Sequence, residues 1–499
     1  MPFFSDPRHR YYAAGLLVVA LASACSDATE PTERSDDQAL RLARGQVSGV
    51  SPLPAGCGLP PDETFTVFPN TEVQPQIAQD PRNPFHLVAI FQQDRWNRFG
   101  SNGAVTATSD NAGLSWRTSP SFPAFSRCTG GTPANGGDYD VTTDHWIAIT
   151  PNGTVIAVAF SLSRTGETTA ILASRSTDGG RHWGAPATLQ RDTEVRFFND
   201  RPTVTADPYH PGRVYVAWDR IDDTSTAEAT HFTQPLLIAQ SDDNGATWGP
   251  TRLAFDTPVN SGTIGNQISV LPDGTLLNVF RLELLEGDNF VGRINVIRSR
   301  DGGQTWSAPT LDLPVPEDFL VPDPDGTDDG FRNASLPLLA VQPGTQTVHA
   351  VWQSTAFTSD GTLHVAYAQS RDGGQTWSDP ARIDQTPTTS ALVPAIAVTQ
   401  TGTVAVTYYD SRHNTPSPAT LPTDLWAVRC ARHCSDPTAW TEQHIDGPFD
   451  GRRAPLTSIG RMLGDYTGLI NIGPLFVAVY GVATADPANP TDLRSSIFF

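Results

Sequence analysis

The sequence predicts an all-β protein built from repeated four-stranded sheets, and three observations predict it. The 499 residues include 41 Gly and 42 Pro, and only 17% are charged. Short runs rich in Val, Ile, Thr and aromatics, bounded by Gly, Pro, Asn and Asp, stand where helical periodicities would otherwise run. One eight-residue box then recurs five times: SDNAGLSW at Ser109, STDGGRHW at Ser176, SDDNGATW at Ser241, and SRDGGQTW at both Ser299 and Ser370. Finally, two apolar segments around a turn precede each box, and the same doublet recurs twice more after the last one. Self-similarity at such a period marks an architecture of repeated supersecondary units.

The elements follow in chain order. Arg8 and Arg10 precede the apolar stretch YYAAGLLVVALASA, which is too short to span a bilayer and reads as an export signal over residues 1–25. LASAC, ending at Cys25, resembles the bacterial lipobox, which implies a lipid on Cys25 and anchorage to a bacterial membrane or cell surface. Residues 26–61 are polar and read as a tether. Residues 62–499 form the folded domain.

Seven doublets fill that domain, beginning PQIAQDPRNPFHLVAIFQQ and ending DYTGLINIGPLFVAVYG. With the strand that carries the box and the strand after it, each doublet makes four strands, one blade of a β-propeller. Seven blades are expected, with six as the alternative, and a strand near TFTVFPN (residues 64–70) is expected to close the ring. Closure would remove the sheet edges that invite aggregation. Within a box, Asp or Asn can accept turn N–H groups, Gly tolerates positive φ, and Trp can fill space between units.

Apart from Cys25, the cysteines are Cys57, Cys128, Cys430 and Cys434, an even number suited to an oxidising compartment. The favoured pairing is Cys57 with Cys128 and Cys430 with Cys434. CARHC with His433 could be a metal site but lacks a second ligand pair nearby. No helix-borne metal motif, phosphate loop or serine elbow occurs, so no cofactor is expected. A net charge of -20 disfavours nucleic acid as a partner. A monomer is expected, touching membrane only through its lipid.

If the boxes lie on one face, the starts of first strands and ends of second strands lie near the axis on the other. Those positions hold Arg95, Arg201, Arg220, Arg281 and Arg412, in a chain with 33 basic and 53 acidic residues. A guanidinium fork grips a carboxylate with two hydrogen bonds, so an anionic or sugar ligand is expected there.

The boxes resemble the Asp box, or BNR repeat, of sialidases and other β-propellers. That resemblance covers roughly residues 62 to 499 and implies an exported glycoside hydrolase that cleaves terminal acidic sugars from glycans. It further implies three arginines on the substrate carboxylate, a Tyr–Glu nucleophile pair and an acid/base Asp. In this sequence Arg201, Arg220 and Arg281 would form the triad, with Arg95 and Arg412 next. Tyr409 with Glu283 would be the nucleophile pair, and Asp144 or Asp94 the acid/base; Tyr408, Tyr466 and Glu286 compete. The motif DRPT at Asp200 lacks the residue that separates Arg from Pro in the family signature, and it follows two boxes where the family's precedes the first. A non-catalytic surface propeller that binds glycans or proteins, or a hydrolase or lyase of other polysaccharides, are the alternatives.

Overall fold

The computed structural model describes residues 44–499 except 59–64, 228, 288, 317–318, 327–329, 387 and 417–418. Cys25, the signal segment and the first part of the tether lie outside the described residues.

Strands dominate. Among the described residues, seven four-stranded antiparallel meanders follow one another. Their first two strands are Glu72–Asp80 with Asn83–Arg95, Val141–Ile149 with Val155–Leu162, Phe197–Ala206 with Val214–Asp223, and Ser261–Val270 with Leu276–Glu286. Leu338–Val341 with Val348–Ser354, Leu392–Val398 with Val404–Asp410, and Gly468–Ile472 with Leu475–Ala483 complete the series. Each first strand lies against the first strand of the next meander, and the seventh returns to Glu72–Asp80, giving a propeller-like ring. Apolar side chains of adjacent meanders interleave: Val351 and Tyr367 of the fifth share one core with Val404, Val406 and Val428 of the sixth.

The boxes turn between third and fourth strands with one geometry. In the fourth meander Ser299 Oγ donates to Asp301 Oδ1 at 2.8 Å and accepts Gly303 N at 2.8 Å, while Asp301 Oδ1 accepts Thr305 N at 2.9 Å. The same bonds recur around Ser109, Ser176, Ser241 and Ser370. The fifth-position glycine has φ +81° at Gly303, and a Cβ there would lie 2.9 Å from Ile238 of the preceding meander. Each box therefore fastens its meander to the one before. The first box reaches back to the last meander, where Trp116 Nε1 donates to Ser495 Oγ at 3.0 Å.

Ring closure differs from the sequence expectation. Arg44–Gln46, inside the segment read as tether, pairs antiparallel with Thr491–Phe498 and becomes the fourth strand of the last meander. Val67, in the stretch expected to close the ring, makes only an isolated bridge to Trp96. RGQ carries no apolar pattern because its contribution is backbone: a Cβ on Gly45 would sit 2.6 Å from both Gly113 O and Ser495 Oγ. Val47 and Leu53 then enter the core, and Cys57 is bonded to Cys128, so the tether reading fails from residue 44 onward. Where the sixth meander lacks a box, Cys430 is bonded to Cys434 and Trp440 Nε1 donates to Cys434 O at 2.9 Å.

One excursion leaves the pattern between the fourth and fifth meanders. Leu320–Val321 pairs with Phe331–Arg332, and Arg332 N donates to Arg461 O at 2.8 Å. Arg452 bonds Asp323 at 2.7 Å and Asp325 at 3.0 Å, clamping the excursion to the sixth meander.

Candidate functional site

The site is built from a repeated bulge. Gln74, Asp144, Arg201, Gly265 and Val393 occupy matching places in five first strands, with φ of 54°, 46°, 46°, 70° and 50°. At each of them the register with the second strand slips. A bulge re-aims a side chain, and positive φ outside glycine costs roughly 1–3 kcal/mol, a strain that clusters at functional sites. Here the bulges bring polar side chains together at the centre of the ring.

Gln74 Nε2 donates to Asp144 Oδ1 and Asp465 Oδ2, both at 3.2 Å. Arg201 Nη2 donates to Asp465 Oδ2 at 3.0 Å. Arg332, delivered by the excursion, grips Asp465 with two bonds of 2.8 and 2.6 Å. Asp200 Oδ2 lies 3.6 Å from Arg201 Nε, and Asp144 Oδ1 lies 3.8 Å from Arg201 Nη1. Arg95 Nη1 donates to Gln92 Oε1 at 2.9 Å, and Gln92 in turn donates to Gln74 and to Thr143. Arg95 is 1% exposed, and among the described residues its Nε has no hydrogen-bond partner.

Charge differentiates these groups. Burial alone would raise the Asp465 carboxyl, but Arg332 and then Arg201 hold it well below the usual range. Burial raises Asp200 to about 7 against the pull of Arg201, with Asp144 adding to the rise. Burial and the Arg332 cation push Arg95 down to about 9. Beneath the cluster, burial pushes His145 down to about 4, leaving a neutral imidazole whose Nε2 meets Gln74 O at 2.8 Å. A cavity continues along the axis past Trp146, Thr203 and Gln267, each two residues further along its strand, and Tyr466 lines it.

Of the residues expected at the axis, Arg95, Asp144 and Arg201 lie near one another. Glu283 pairs with the fully buried Arg281 at 3.0 Å, under Phe319, and its carboxyl feels the charge of Arg201, so both stand at the rim. Burial raises the Glu283 carboxyl.

The other expectations are displaced. Arg220 turns outward, bonding Asp192 at 2.9 and 2.6 Å over the Phe197 ring. Arg412 pairs with Asp410 and Glu442 and stacks on Trp426 at 3.9 Å. Tyr409 is fully buried in the core between meanders and donates to Gly481 O at 2.9 Å, so it cannot face a ligand. Tyr408 bonds Glu442 beside Arg412, and Asp94 holds Ser51 and Asn70 in the N-terminal segment. Tyr466 reaches the axis, but its hydroxyl donates to His145 O at 2.9 Å.

Arg332 was missed because it stands in the short excursion strand Phe331–Arg332, six residues before the first strand of the fifth meander, where a rule based on the repeated strands does not look. Among the described residues no cluster of three or more His, Cys, Asp or Glu suits a metal ion, and no helix is long and apolar enough to cross a membrane.

Comparison with known proteins finds a matching domain model and distant relatives. Residues 140–327 match the model of a BNR repeat-like domain. A sialidase of Paraclostridium sordellii is 27% identical over 155 residues, covering 27% of this chain and 37% of that protein, so the match spans little more than a third of the relative. Among solved structures, a Penicillium chrysogenum α-L-arabinanase with arabinobiose has a TM-score of 0.45 at 13% identity, covering 92% of this chain and 98% of its own. A Streptococcus pneumoniae sialidase gives 0.44 at 9%, covering 87% and 94%.

Proposed function

We propose that this chain, a sialidase-like BNR-repeat protein, is an exported glycoside hydrolase acting on a glycan that ends in an acidic sugar, with the axial arginine–aspartate cluster as its site. The observation that carries this reading is Arg95. A guanidinium 1% exposed, whose hydrogen-bond partner among the described residues is a neutral amide while Asp465 and Asp144 attract it without a bond, is costly to bury without an anion in its fork. A substrate carboxylate between Arg95 and Arg332 would supply one.

Hydrolysis then needs a proton donor and a base. Asp200, raised to about 7 and 21% exposed at its side chain, suits the donor. It gives its proton to the glycosidic oxygen as the bond to the anomeric carbon breaks. A water oxygen bonds that carbon, and the water's spare proton passes to Asp144. One water is consumed, Asp144 releases its proton to solvent, and Asp200 takes one up. A covalent tyrosine route finds no support at the axis, since Tyr409 lies in the core and Tyr466 is engaged with His145 O. Because the acid form of Asp200 is required, turnover falls as pH rises through about 7.

Seven blades are part of the same proposal, supported by seven first strands that touch in a closed cycle. So is acylation of Cys25, supported by its lipobox-like setting and by two disulfides in the folded region, which suit an oxidising compartment.

A second reading is a non-catalytic glycan-binding propeller. It is favoured by Asp465, which already fills the forks of Arg332 and Arg201. Turnover and binding of a fluorogenic sialoside, a uronide and a neutral glycoside decide between them. Turnover of the sialoside or uronide that Asp200→Asn abolishes is expected. Binding without turnover by the wild type would leave the binder, and cleavage of the neutral glycoside alone would remove the acidic-sugar reading.

A further inference from the structure

We infer that Asp219 is a positioning acid that shares a proton with Asp200 and so keeps the axial donor charged with it. The inference rests on Asp200 acting as the proton donor in the reading above. Asp200 and Asp219 are directly opposite each other on the first two strands of the third meander, the last pair before the bulge. Directly opposed side chains on an antiparallel pair lie about 4.5–5.5 Å apart at Cβ, and like charges there repel. Asp219 is wholly buried, so solvent cannot screen that repulsion. Two acids in such a place hold one proton between them more readily than they hold none.

What surrounds Asp219 sharpens the point. Its hydrogen-bond partners are side-chain amides, Gln234 Nε2 and Asn266 Nδ2, the latter at 3.4 Å. Both are donors, so they fix the carboxyl without neutralising it. Arg201 is the nearest cation to the pair, and it is already committed to Asp465 at 3.0 Å. Asp144 from the second meander adds negative charge and Arg332 from the excursion opposes it. Arg220, adjacent to Asp219 in sequence, turns away onto Asp192. Burial, then Asp200, pushes Asp219 well above the carboxylate range, in keeping with this geometry. The mechanism described above does not use Asp219, and a buried acid facing the donor otherwise only adds cost.

The device works by proton balance. When Asp200 gives its proton to the glycosidic oxygen, the proton held on Asp219 is shared across the pair, one from solvent refills Asp219, and the donor is restored. Without Asp219, Asp200 has no second acid to share a proton with and faces only Arg201, Asp144 and Arg332, so it ionises at lower pH.

The test is carbon NMR of protein labelled at the aspartate carboxyl carbon, with the Asp200 signal assigned by its loss in Asp200→Asn. In the wild type that signal should show two inflections with pH, the mark of a coupled pair. In Asp219→Asn it should show one, lower by at least one pH unit, a tenfold loss of proton affinity. The alkaline limb of turnover should move down with it while turnover at acid pH is kept. A wild-type signal with one inflection, or a titration unmoved in Asp219→Asn, would overturn the inference by showing that burial alone raises Asp200. Because the titration needs no turnover, a coupled pair in protein that cleaves no glycoside would sink the hydrolase reading and the donor role built on it, and leave only the shared proton.

Discussion

Arg95 and Asp465 show how unequally charge is settled at the axis. Asp465 is bonded to two guanidiniums, whereas among the described residues Arg95 is bonded to the Gln92 amide alone and is just as buried. An ion with its partners in place costs little, and one without them costs several kcal/mol. Arg95→Met should therefore leave Tm unchanged or raise it while lowering affinity for an anionic glycan at least about 30-fold, since losing a buried charged contact costs roughly 2–5 kcal/mol. Calorimetry and glycan titration on one preparation check this. A Tm drop as large as that of an ordinary core truncation would show that Arg95 is structural.

At the scale of elements, the boxes and the closing seam divide the labour of stability. Asp301 is exposed and holds its turn through Ser299, Thr305 N and Thr305 Oγ1. Asp301→Ala should lower Tm by about 1–3 °C and leave ligand affinity within error, as scanning calorimetry beside binding will show. A larger effect on binding than on Tm would move the boxes into the site. The seam has the opposite character. Glu72, where the first and last meanders meet, is raised to about 9 by burial, with Asp492 and Asp94 adding to the rise and the bonds from Ser48 and Gln93 opposing it. The folded chain thus keeps a proton that the unfolded chain loses above about 4.5, so stability falls as pH rises from about 4.5 through 9. Glu72→Gln should raise Tm at pH 8 by about 2–4 °C and flatten the fall of Tm with pH between 5 and 9. Parallel Tm curves for the two proteins would exclude this role for Glu72.

Taken as a whole, the molecule depends on a closure that three residues complete. Arg44–Gln46 covers the free edge of Thr491–Phe498, and the Arg44 guanidinium reaches Asp446 at 2.7 Å and Ile445 O at 2.6 Å. Without it the last meander has three strands and an exposed edge, a template for pairing with another chain. Protein beginning at residue 48 should lose several degrees of Tm and associate with time, which light scattering will record. Monomeric protein with unchanged melting would mean that the first and last meanders hold the ring unaided.

By itself the sequence determined the repeat. The doublets, the boxes and their spacing are local patterns of period two punctuated by turn residues, and local patterns survive reading in one dimension. It pointed to Arg95, Asp144 and Arg201 by their offsets from the boxes, but of these Arg95 alone ends its strand, while Asp144 and Arg201 lie inside theirs, at the bulges. Only the tertiary structure decided which polar residues meet. Arg281 stands opposite Ile264, the place that Asp219 takes opposite Asp200, whereas Arg220 stands one residue further along its strand and so points to the other face, where it meets Asp192. Tyr409 and Tyr408 are adjacent in an alternating strand, so they point to opposite faces into two different cores, and neither faces the axis. Arg332 comes from an irregular excursion with no periodicity to mark it, and Arg44–Gln46 pairs through backbone groups that every sequence shares. The candidate site is the part of this protein where contacts are long-range and chemically specific, and that is the part a single sequence leaves unwritten.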